Sequence, residues 1–136
     1  MLELYQKPLS EIPIVESKEF TKYIETIIDY ILIISKEKNL INIHVPNNHL
    51  IEVFEELLDA IIFQIYFPND FKEKKIDFLK FLERDIISIE NSNLESQIKI
   101  IHETYQKLRE KNNEIRNNIK LMKIELRDLL MPILTA

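Results

Sequence analysis

The sequence predicts an all-α fold: four or five amphipathic helices in an irregular bundle, led into by a short extended N-terminal segment. Three observations carry this. Apolar residues recur at three- and four-residue steps over most of the chain. Capping residues (Ser17, Asn47 or Asn48, Asp70 and Ser92) stand just before those runs. Glycine is absent from all 136 residues, where an ordinary domain draws about 7% of its residues from it. The loops must then be built from Asn, Pro and charged residues, without the residue that most readily takes positive φ.

Residues 1–16 read as extended. Pro8 and Pro13 disfavour helix for the residues before them, and Ile12-Pro13-Ile14 has the look of a short packed strand-like segment. Ser17 is the expected N-cap of a helix over 17–37, whose apolar face is Phe20, Ile24, Ile27, Ile28, Ile31 and Ile34. Lys36 and Lys38 sit where they complement the dipole. Residues 39–46 break the pattern, with Leu40, Ile41, Ile43 and Val45 able to form a brief extended segment. A second helix, 48–67, is capped by Asn47 or Asn48 and stopped by Pro68. Its apolar face is Leu50, Val53, Phe54, Leu57, Leu58, Ile61, Ile62 and Ile65, with Glu52, Glu55, Glu56 and Asp59 opposite. Asp70 and Glu73 have capping-box spacing for a third helix, 70–86, and Ser92 and Glu95 for a fourth, 93–111.

The last stretch has the most regular pattern. Leu94, Ile98, Ile101, Tyr105, Leu108, Asn112, Ile115, Ile119, Met122, Leu126 and Leu129 alternate steps of four and three. One reading is a continuous coiled-coil helix, with Asn112 at an a position fixing register in a homodimer. The other is a pair of helices, 93–111 and 113–131, broken at Lys111-Asn112-Asn113, because Asn is a weak helix former. Pro132 is expected to end the ordered part. With no internal repeat and no low-complexity linker, 1–136 reads as a single helical domain.

Composition removes several function classes. Without glycine there is no Walker loop, dinucleotide fingerprint or nucleophile elbow. Without cysteine there is no disulfide framework and no thiolate metal site, which suits a cytoplasmic setting. The N-terminus lacks a basic region followed by an apolar run, and no apolar stretch is long and clean enough to span a bilayer. Isoleucine leads the apolar residues, and Lys, Glu and Asn are abundant. That bias is the mark of AT-rich coding and points to a low-GC microbe.

The three histidines, His44, His49 and His102, show no established ligand spacing, although Glu52 lies one turn after His49. Glu73-Lys74-Lys75 has the E-x-K spacing of many nucleases, with Asp59 upstream. Those enzymes carry the motif on a strand; here it falls in a predicted helix, and Glu16-Ser17-Lys18 repeats it by chance. No catalytic set and no metal site are therefore assigned.

The net charge of −5 argues against coating nucleic acid by bulk charge. The stretch 107–123 runs the other way. Lys107, Arg109, Lys111, Arg116, Lys120 and Lys123 face only Glu110 and Glu114. This is either a solvated helix face or a phosphate-contacting one, where Arg116 followed by Asn117 and Asn118 would pair charge with amide hydrogen bonding to backbone or bases. The candidate nucleic-acid contacts are those six cations and Asn117.

Three segments in order resemble a known family. Ile12-Pro13-Ile14 precedes Ile27-Ile28-Asp29-Tyr30-Ile31-Leu32. Then comes Phe54-Glu55-Glu56-Leu57-Leu58-Asp59-Ala60-Ile61-Ile62-Phe63-Gln64-Ile65-Tyr66-Phe67-Pro68, and finally Ile115-Arg116-Asn117-Asn118-Ile119. Over roughly residues 9–124 this order is similar to the extreme C-terminal part of type IIG restriction–modification enzymes, adenine-N6 DNA methyltransferases with a TaqI-like specificity domain. The resemblance implies a non-catalytic tail that helps the specificity domain embrace duplex DNA or scaffolds it, partnered by a methyltransferase domain or subunit. In that family a glycine-bearing loop binds S-adenosylmethionine and an Asn-Pro-Pro-Tyr type motif holds the flipped adenine. Neither is present, since Pro46-Asn47-Asn48 is not that motif. The cofactor is implied for the larger enzyme alone, and no catalytic residue carries over. The other function in view is a helical oligomerisation or adaptor protein pairing through the C-terminal heptads.

Overall fold

The computed structural model describes residues 14–37 and 46–134. Among them are seven helices and no strand: α1 (Ile14–Lys36), α2 (Asn47–Tyr66), α3 (Pro68–Glu73), α4 (Leu79–Asp85), α5 (Leu94–Arg109), α6 (Glu114–Glu125) and α7 (Arg127–Leu134). The fold is all-α. The expected extended segment 40–45, His44 and the Pro8 and Pro13 breaks lie outside the described residues.

α1 and α2 form the most extensive helix pair, and α2 also meets α3 and α6. α1 buries Phe20, Tyr23, Ile27, Tyr30 and Ile34. α2 buries Leu50, Phe54, Leu57, Ala60, Ile61, Phe63 and Ile65, a spread wide enough to serve as the centre of the core. Each buried Leu, Ile or Phe among them contributes about 1.5–3 kcal/mol by leaving water. Tyr30 is fully buried, stands edge-on to Phe54 at 5.4 Å, and exchanges hydrogen bonds with the backbone of Ile87. Its hydroxyl accepts from Ile87 N at 3.1 Å and donates to the Ile87 carbonyl, pinning the 86–93 connection to α1.

Several expected boundaries move, each for a local reason. α1 begins at Ile14, so residues 14–16 are helical and Ser17 lies inside the helix rather than at its cap. Proline restricts the residue before it, not the residue after. Asn47 and Asn48 do not cap α2. Pro46 stands at that position without a side-chain cap bond, and Asn47 Nδ2 instead donates to Ile34 O and Glu37 O, satisfying carbonyls at the end of α1. Pro68 does stop α2, but it also opens α3 as its first residue, where a missing N–H costs nothing. Asp70 is therefore inside α3 and forms no capping box. The helix capped beyond Ser92 uses Asn93, whose Oδ1 accepts from Ser96 N at 2.8 Å.

The expected helix 70–86 is two helices. Phe71, Ile76 and Phe78 are all buried, and steps of five and two cannot share one helical stripe. The chain turns through Lys75 at φ 59° so that Ile76 N reaches Phe71 O at 2.9 Å. Gln64 then holds the restart, accepting from Phe78 N at 2.9 Å and donating to Asp77 Oδ1 at 2.9 Å. Asn91 takes the other positive φ, 63°, among the described residues.

The C-terminal stretch is not one continuous helix. α5 ends at Arg109 and α6 starts at Glu114. Asn112 is exposed in the turn between them, so it is not a register-fixing core residue; the buried one is Asn113. The expected helix 113–131 divides again at Leu126, and α7 continues through Pro132 to Leu134. Nothing in the local sequence marks the Leu126 break.

Candidate nucleic-acid interface

α6 carries three of the six cations of the basic stretch, Arg116, Lys120 and Lys123, and a polar cluster sets its position. Asn113 Oδ1 accepts from Arg116 N at 2.9 Å, capping the helix. The same side chain donates through Nδ2 to Asp85 Oδ2 at 3.0 Å. The Asp85 side chain is 3% exposed, and its charge is held by Arg84, which forks onto both its oxygens at 2.7 and 2.9 Å. The fork continues to Glu114, the first residue of α6, with two bonds of 3.0 Å. Arg84 pairing pulls the Asp85 carboxyl below the usual carboxylate range, burial opposes it, and the Asn113 bond adds to the pull. Glu114 is lowered mainly by Arg84 too, and the Arg84 guanidinium is correspondingly raised. A buried carboxylate satisfied in this way is stable only while its partners stay in place.

With α6 fixed, four of the seven sequence candidates converge. Arg109, Arg116, Lys120 and Lys123 line a groove of about 270 Å³ between α2 and the α5–α6 pair, over a floor of Val53, Leu57, Leu108 and Ile119. Arg116 reaches back across the turn to donate to Arg109 O at 2.9 Å. Arg109 donates to Tyr105 OH at 3.1 Å and lies 3.1 Å from His49 Nε2. Glu56 is the carboxylate in the groove and pairs with Lys123 at 2.7 Å. Lys120 is exposed and makes no ion pair among the described residues.

The other three candidates lie elsewhere. Lys107 is half-buried, near enough to Asp85 to favour its charge. Lys111 is exposed in the α5–α6 turn. Asn117 lines a separate, larger cleft of about 720 Å³, together with Asn118, Lys72, Lys75 and Lys80. The sequence reading missed Glu56, His49 and Tyr105, which come from outside the basic run or from its apolar neighbours. The i, i+4 step from Tyr105 to Arg109 was a legible signal; the α2 contributions were not.

Glu73 ends α3 and Lys75 sits in the turn after it, a placement unlike that of a strand-borne nuclease motif. Among the described residues no group of three or more His, Cys, Asp or Glu side chains is placed to hold a metal ion. No helix of the described residues is long and apolar enough to cross a membrane. No family model, curated protein or solved structure matches this chain.

Proposed function

We propose that this chain is a non-catalytic helical module that contacts duplex DNA through the groove between α2 and the α5–α6 pair. The observation that carries the reading is the convergence of Arg109, Arg116, Lys120 and Lys123 on one groove of a protein whose net charge is −5. Four cations face a single carboxylate, Glu56, so the local field is the reverse of the global one. Guanidinium and ammonium groups on a fixed helix suit phosphate oxygens and supply affinity without sequence information. The resemblance of its segment order to the C-terminal part of type IIG restriction–modification enzymes suggests the larger setting: a piece that serves a specificity domain beside a methyltransferase.

Fluorescence anisotropy with a short labelled duplex tests this across a salt series. Affinity should fall steeply with salt, and Arg116→Ala combined with Lys120→Ala should lower the log–log slope by about 2, since each lost phosphate contact removes about 0.9. Absence of duplex binding at low salt would overturn direct DNA contact and leave the scaffold role alone.

A further inference from the structure

We propose that α6 is a base-reading helix that enters the major groove of duplex DNA through its solvent pole, Asn117, Lys120 and Ile124. This rests on the DNA-contacting reading above and adds sequence recognition to it. At 100° per residue, Ile115, Ile119 and Met122 point α6 into the core, and all three are buried. The opposite pole falls on Asn117 and Ile124, with Lys120 beside them, and all three are exposed. Ile124 is 70% exposed, the most exposed large apolar side chain among the described residues. Ile124 is the one large apolar side chain on this otherwise polar pole of α6. A thymine methyl group is the apolar feature that a major groove presents. Asn117 is exposed, and its backbone N–H bonds to Asn113 O within the helix while its side-chain amide makes no hydrogen bond among the described residues; an amide is the side chain that pairs in bidentate fashion with adenine N6 and N7.

The surroundings match a groove rather than a flat surface. A helix about 10–12 Å across fits a major groove about 12 Å wide, and it then has a phosphate strand on each side. α6 has cations on both flanks. Arg109, Arg116 and Lys123 lie on the α2 side. Lys72, Lys75 and Lys80 line the cleft that Asn117 shares on the other side. That cleft also holds Glu19, Asp77 and Glu114; Glu114 is paired with Arg84, whereas Asp77, among the described residues, accepts only from the neutral Gln64 amide and Leu79 N and keeps its charge. A four-residue turn, 110–113, joins α5 to α6, the connection length of a helix-turn-helix pair. Seven residues separate Asn117 from Ile124, about 10 Å of helix and about three base-pair steps. The expected site therefore holds an adenine and a thymine about three steps apart.

The test is selection of the full chain against a randomised duplex pool, followed by anisotropy on the winning duplex and a scrambled one. The expected result is an enriched motif with that A/T spacing. Asn117→Ala should weaken the winner about 5- to 150-fold, the range of one bidentate base contact, and leave the scrambled duplex and the salt slope unchanged. Replacing the contacted thymine by deoxyuridine should weaken the native chain and leave Ile124→Ala unaffected. Equal binding of all duplexes with no enriched motif would overturn the proposal while sparing phosphate contact. So would an Asn117→Ala loss that is the same on both duplexes. Failure to bind any duplex at low salt would instead overturn the underlying DNA-contacting reading.

Discussion

Replacing Asn113 with alanine removes two bonds that no neighbour can remake. Its Oδ1 caps α6 at Arg116 N, and its Nδ2 donates to the buried Asp85 carboxylate. Loss of an Asn cap costs about 1 kcal/mol. Loss of a hydrogen bond to an ionised group costs about 1.5–3 kcal/mol. Asn113 is 5% exposed, so water is poorly placed to substitute. The expected destabilisation is about 2–4 kcal/mol, which moves a urea midpoint by about 1–2 M at an ordinary slope for a domain of this size. Far-UV circular dichroism during urea unfolding reads it, with the slope unchanged. Asn113→Asp separates the two bonds: aspartate caps as well as asparagine but sets a second carboxylate against Asp85. It should also destabilise at neutral pH, and recover as acid neutralises one of the pair. The pH sign follows from the lowered pKa of Asp85, caused first by Arg84. Its contribution is present above the unfolded carboxyl pKa, about 3.9, and is lost as pH falls through the lower folded value. Asn113→Ala should make that acid loss shallower. A change below about 0.5 kcal/mol in Asn113→Ala, or an unchanged acid limb, would refute the reasoning.

Three further outcomes are expected. Glu56→Gln frees Lys123 from its 2.7 Å pair; it should tighten duplex binding and raise the salt slope by about 0.9, with stability changed by less than about 1 kcal/mol because the pair is half exposed. Lys75→Gly relieves a non-glycine residue held at φ 59° and should raise the urea midpoint, by about 1 kcal/mol of stability. Tyr30→Phe leaves the Ile87 N–H and carbonyl without their shared partner; it should cost about 1 kcal/mol and speed amide exchange at Ile87.

How much of this was legible depends on how local the cause was. The apolar stripes of α1 and α2 could be read because burying one helical face requires them. The stop at Pro68 could be read because proline has no N–H to donate, whereas its second use as the opening of α3 could not. The two-helix and continuous readings of the C-terminal stretch both satisfied the same heptad. What separates them is Asn113, whose second bond reaches Asp85, 28 residues away. The helix 70–86 looked continuous because a capping box and apolar residues were present. The side chain that holds the break, Gln64, belongs to a different helix.

By itself the sequence determined the all-α class, the exclusion of glycine-dependent nucleotide loops, and the position of the basic stretch. Each follows from residue type and spacing along one chain. The tertiary structure decided which of those basic residues share a surface. Arg109, Arg116, Lys120 and Lys123 meet in a groove because Asn113, Arg84 and Asp85 fix where α6 begins, while Lys107 and Asn117 are turned to other sides of their helices. Even the missing glycines took their meaning there. The chain still needs left-handed turns, and it makes them with Lys75, beside the buried Ile76, and with Asn91. Side-chain direction around a helix and contact between distant segments depend on the whole packed core, and no local window of sequence contains them.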